Sequence, residues 1–133
     1  MTTNTQTWPV GLENAGATRG RLGTAGLWTL QIAAAGMFLL AGGLKLAGIP
    51  MDVQLFAAIG IGQWFRYLTG VIEVVGAILL LIPSMALFGG LALAVTMVGA
   101  ILTHLFIVGG NPAIPIALLA ATSTVAWMRR SAR

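Results

Sequence analysis

Cysteine is absent from these 133 residues, which removes disulfides, catalytic thiols, iron–sulfur ligation and covalent haem attachment together. A single histidine cannot assemble a zinc site. Charge is scarce as well. Only 8% of the residues are Asp, Glu, Lys or Arg, against about 25% in a soluble domain, so there is too little ionic surface to face water all round. What is abundant is apolar: 58% of the chain is hydrophobic and its mean hydropathy is +0.95. These values imply an all-α integral membrane protein with the bilayer as its solvent.

The seven cations are Arg19, Arg21, Lys45, Arg66, Arg129, Arg130 and Arg133, and the three anions are Glu13, Asp52 and Glu73. A net charge of +4 might suggest nucleic acid in another chain, but most of these cations cluster at the two ends. That is a topology signal and excludes a nucleic-acid surface. Residues 22 to 44 carry no charge, and between Arg66 and Arg129 only Glu73 and His104 interrupt the apolar sequence.

Punctuation divides the chain. Residues 1–23 are polar and lack periodicity, which predicts a disordered cytoplasmic tail. The first apolar run starts after Arg21, too late for a signal peptide. Residues 24–128 form the transmembrane domain, with helices expected at about 25–47, 64–82, 85–108 and 113–128. Pro50 ends the first, Pro83-Ser84 the second, and Gly109-Gly110-Asn111-Pro112 the third. Pro112 and Pro115 suit the first turn of the fourth. Residues 51–62 mix Asp52 and Gln54 with Leu55, Phe56 and Ile59, the composition of an amphipathic or re-entrant interfacial connector. Residues 129–133 form a basic cytoplasmic C-terminus. Trp28, Trp64 and Trp127 fall near span ends, as an aromatic belt requires. The result is a four-transmembrane-helix bundle with both termini in the cytoplasm.

Small residues mark helix contacts: Ala86, Gly90 and Ala94 form one ladder on the third helix, and Ala92, Thr96, Ala100 and His104 form a neighbouring stripe. Lys45, Arg66, Glu73 and His104 lie at similar depth in the outer half. At 1.5 Å per residue, Lys45 and His104 stand about 6 Å below their span ends and Glu73 about 14 Å below Trp64. Side chains lean toward their own helix N-terminus, which brings the three together. Charge at mid-membrane costs about 2.5–3.5 kcal/mol, so Glu73 is expected to be ionised and paired. Arg66, seven residues away on the same face, is the expected partner, with Lys45 the alternative. For Lys45 alone, snorkelling to the headgroups is the expectation. Asp52 is left to solvent, outside the site.

The string Trp64-Phe65-Arg66-Tyr67-Leu68-Thr69-Gly70-Val71-Ile72-Glu73-Val74-Val75-Gly76, continuing to Pro83, resembles the central signature of DoxX-like membrane proteins. Ala41-Gly42-Gly43-Leu44-Lys45-Leu46 and Met97-Val98-Gly99-Ala100-Ile101-Leu102-Thr103-His104-Leu105 resemble its flanking motifs. The resemblance implies a small four-helix protein of the bacterial plasma membrane, multi-pass, from a family associated with quinone-linked oxidoreduction and oxidative-stress complexes. Without cysteine, any thiol chemistry must come from a partner.

Three functions follow as expectations. The first is an accessory, redox-linked subunit that binds a quinone or other lipophilic ligand in the outer half of the bundle. Its ligand-binding candidates are Lys45, Arg66, Glu73, His104, Trp64 and Thr103, and its catalytic candidates, if it is a quinone-linked oxidoreductase component, are Glu73 and His104. No metal and no covalent cofactor is expected. The second is a noncatalytic scaffold or assembly subunit of a membrane complex, with the polar set fixing helix register and the docking face of a partner, which could be a redox-complex protein. The third is a small-solute channel or transporter formed by a homo-oligomer.

Overall fold

The computed structural model describes residues 10–130, with side chains from Arg21 onward. Five α-helices account for most of it: α1 (Val10–Ala47), α2 (Pro50–Ile59), α3 (Gln63–Leu80), α4 (Ala86–Thr103) and α5 (Ala113–Arg129), with a π-helical turn, His104–Val108, extending α4. The fold is all-helical among the described residues. Three stretches, residues 21–47, 63–80 and 86–108, are long and apolar enough to cross a membrane. α5, at 17 residues, measures about 26 Å, at the lower edge of what a span of about 30 Å requires.

The ends of the helices follow the punctuation. α1 stops where Gly48 takes a left-handed φ of 74° and its N–H returns to Leu44 O at 3.0 Å, a conformation that favours glycine. Pro50 then opens α2 at a position where its missing N–H costs nothing. One boundary differs widely from expectation. α1 begins at Val10 rather than near residue 25, so helix occupies residues 10–23, which were expected to lie in the disordered tail. No proline occurs between Val10 and Ile49, and once a span is nucleated each further residue adds a hydrogen bond. The rest of that tail and the C-terminal residues 131–133 lie outside the described residues. The connector over 51–62 is a ten-residue helix for most of its length.

α3 packs between α1 and α4, α5 packs on α4, and a smaller contact between α5 and α1 closes the ring, while α2 lies against α3 and the π-helical turn. The core draws on all four long helices: Ala34, Ala35 and Phe38 of α1, Ala77 and Leu80 of α3, Ala86, Leu93 and Met97 of α4, and Val125 of α5. Glycines permit the closest approaches. A Cβ on Gly89 would stand 2.7 Å from both Gly76 O and Leu80 N, and one on Gly42 2.9 Å from Gly70 O. The Gly90 position meets Ala126 and Thr122 of α5, so the Ala86-Gly90-Ala94 ladder serves that contact. Outward faces remain apolar, with Val95, Phe106 and Ile114 each more than 60% exposed, as a lipid-facing surface requires.

Candidate functional site

At the end of the bundle carrying α2, the four long helices enclose a cavity of about 430 Å³, within the range of about 300–1,000 Å³ usual for small-molecule sites. Its walls come from every α-helix: Phe38, Ala41 and Lys45 of α1, Leu55, Phe56 and Ile59 of α2, Phe65, Thr69, Ile72 and Glu73 of α3, Val95, Thr96, Met97, Gly99, Ala100 and Thr103 of α4, and Ile114, Pro115 and Leu118 of α5. His104 adds the first residue of the π-helical turn. Val95 and Ile114 are themselves exposed, so the cavity reaches the apolar outer surface of the bundle.

The polar wall is built around Glu73, whose side chain is 2% exposed and whose Oε2 lies 3.2 Å from Lys45 Nζ. The approach is an ion pair without a well-directed hydrogen bond to Oε2. Lys45 is the carboxylate's partner, correcting the expected Arg66–Glu73 pair. Lys45 points into the bundle with its side chain 15% exposed, so it does not snorkel. Arg66 is buried but turns the other way: Nη1 donates to Lys45 O, Nε donates to Gln63 Oε1 at 2.8 Å, and the guanidinium lies 4.3 Å from the Tyr67 ring centroid. It caps the Lys45 carbonyl in the last turn of α1, where a cation is favoured by the helix dipole.

His104 Nδ1 lies 2.9 Å from Ala100 O, a one-turn bond on its own helix, and its ring lines the cavity. Thr103 lines it too, with Oγ1 donating to Gly99 O at 2.8 Å. Lys45, Glu73, Thr103 and His104 are therefore brought to one cavity. Arg66 and Trp64 are not among its lining residues. Trp64 is 60% exposed and donates Nε1 to Ile61 O at 3.2 Å.

The sequence reading passed over three features. Asp52 is buried at 7% exposure on the first turn of α2, where the helix dipole favours an anion, and is not left to solvent. The α2 and α5 walls were absent from the candidate set, although Phe56 and Ile59 recur at helical spacing behind Asp52 and were legible as one face. At the opposite, Pro83 end, Gln31 is fully buried. Its Nε2 donates to Leu80 O at 2.7 Å, and its Oε1 accepts from Arg129 Nε at 2.9 Å, tying three helices together.

The family model described as the DoxX-like family matches residues 29–127, a range that contains every cavity-lining residue. The chain belongs to the DoxX-like family. No curated protein and no solved structure matches it. This DoxX-like chain is thus a helical, apolar membrane protein in which the family-matching region carries an ion pair and an imidazole on one cavity.

Proposed function

We propose that this DoxX-like protein is an accessory, redox-linked subunit of the bacterial plasma membrane that holds a quinone-type or other lipophilic ring ligand in the α2-end cavity. In this reading it has four membrane-crossing helices, both termini in the cytoplasm, and a protein partner that performs the electron transfer. The observation that carries it is the cavity itself: about 430 Å³ of mostly apolar space with the Lys45–Glu73 pair and His104 on its wall. Mostly apolar walls with a few convergent polar groups suit a ligand with a hydrophobic body and a polar head. Desolvating an ion pair can cost more than its attraction returns, so one kept inside an apolar bundle is first read as a functional site.

The polar groups on the wall fit a ring that carries two oxygens. Lys45 would hold one ring oxygen and the His104 side the other, with Phe38 and Phe65 bounding the ring between them. Such a group, when bound, supplies reversible two-electron, two-proton chemistry, while Lys45 supplies positive charge and Glu73 and His104 supply sites for a proton.

The scaffold reading is favoured by one observation. Lys45 pairs with Glu73, and His104 Nδ1 bonds Ala100 O, within the bundle itself. Solvent extraction of the purified protein for quinone, followed by thermal-shift titration with a short-chain quinone analogue, separates the two. A bound ligand stabilises by RT ln(1 + [L]/Kd). No extracted ligand and no stabilisation, together with a stoichiometric copurifying protein, would make the scaffold the function.

A further inference from the structure

We infer that the cavity selects hydrogen-bond donors, so that its ligand is a lipophilic compound presenting hydroxyl hydrogens and, of a quinone and quinol pair, the reduced form is the one held. This rests on the cavity being a ligand site, as proposed above.

Six polar side chains line the cavity: Lys45, Thr69, Glu73, Thr96, Thr103 and His104. The three threonines share one habit. Thr69 Oγ1 donates to Phe65 O at 2.8 Å, Thr96 Oγ1 to Ala92 O at 2.9 Å, and Thr103 Oγ1 to Gly99 O at 2.8 Å. A carbonyl only accepts, so each hydroxyl hydrogen is committed to its own helix and only oxygen lone pairs are left to offer. His104 follows the same logic. With Nδ1 facing Ala100 O at 2.9 Å, that nitrogen carries the hydrogen, and in the uncharged ring Nε2 presents a lone pair. No partner occupies Nε2 among the described residues. Glu73 is an acceptor as a carboxylate, and its Oε2 lacks a directed hydrogen bond.

Lys45 is then the one lining side chain with a hydrogen to give, and it is held by Glu73 at 3.2 Å. A quinone ring offers only two carbonyl acceptors, which would face this wall acceptor to acceptor except at Lys45. The quinol carries two hydroxyls, one able to donate to His104 Nε2 and the other to accept from Lys45 while donating to a threonine or carboxylate oxygen. A site matched to a ligand hydroxyl discriminates strongly against the analogue that lacks it, because its own polar groups are then left unpaired.

The test is anaerobic thermal-shift titration of the full chain in detergent with a decyl-substituted benzoquinone and, separately, the same compound reduced to the hydroquinone. The quinol is expected to bind at least about tenfold more tightly, the worth of roughly one hydrogen bond. His104→Phe should reduce that preference severalfold while leaving the quinone affinity nearly unchanged. Equal affinities, or tighter binding of the quinone, would overturn donor selection while leaving the ligand site standing. Binding of neither form would overturn the ligand site and this inference with it. Because His104 is the only histidine, imidazole ¹⁵N spectra of the unmodified protein report its tautomer directly, whatever the fate of the variant. A hydrogen on Nε2 of the uncharged ring would also overturn the inference.

Discussion

Glu73 and Lys45 show what spacing alone leaves out. Seven residues put Arg66 and Glu73 on one face of α3, but also about 10.5 Å apart along its axis. Helical side chains lean toward the N-terminus, so Glu73 leans toward Arg66 while Arg66 leans away from it, onto the Lys45 carbonyl in the last turn of α1. That brings Lys45, on the neighbouring helix, to the carboxylate. The ionisable residues and their shared depth were legible in the sequence; the pairing was not, because it depends on the rotation of α1 against α3, set by the Gly42 and Gly70 contact. Removing one partner of a dry pair leaves an uncompensated charge costing about 3–5 kcal/mol. Glu73→Gln and Lys45→Met should each destabilise the protein on that scale in detergent unfolding. The double variant should cost clearly less than the sum, and strict additivity would show that the two do not interact. In the same cycle, Arg66→Gln should be additive with Glu73→Gln.

Helix positions were readable because prolines and glycine pairs bracket the apolar runs, and α3 lies within two residues of its expected bounds at either end. Contact partners were less so, since glycine is equally compatible with close packing and with open space. Gly89 and Gly99 make the contrast on one helix. Gly89→Ala would drive a methyl into the backbone of α3, and a loss of about 1–3 kcal/mol is expected in thermal unfolding, the usual range for overpacking. Gly99→Ala meets nothing within 4 Å and should leave stability unchanged or slightly raised through helix propensity. Gln31 was missed because an uncharged polar residue inside an apolar run gives no charge signal, and its partners Leu80 and Arg129 are remote in sequence. Gln31→Leu would strip the acceptor from a guanidinium whose Nη2 already has none. It should cost about 1–3 kcal/mol, measured by the same unfolding.

At the scale of the molecule, the topology proposed from the charge distribution is open to a simple check, since a chain without cysteine accepts single reporter thiols cleanly. Cysteine at Ser84 and at Arg130 should react with impermeant reagent from the cytoplasmic side and cysteine at Asn111 from the other; labelling of all three from one side would exclude four crossings. The bundle is also uneven along its length. Near Pro83, α3 and α4 touch backbone to backbone through Gly76 and Gly89, and Gln31 and Arg129 cross-link the same end. Toward α2 the same pair of helices lines the cavity. A bundle built this way is expected to respond as a sprung peg, stiff at the pinched end and compliant at the open one, because close backbone contact and cross-linking hydrogen bonds resist opening where a cavity does not. Amide exchange should accordingly run slowest around Gly76–Leu80 and Ala86–Leu93 and fastest around Phe65–Ile72 and Val95–Thr103. An occupant would damp that gradient from the open end inward, without altering the pinched one.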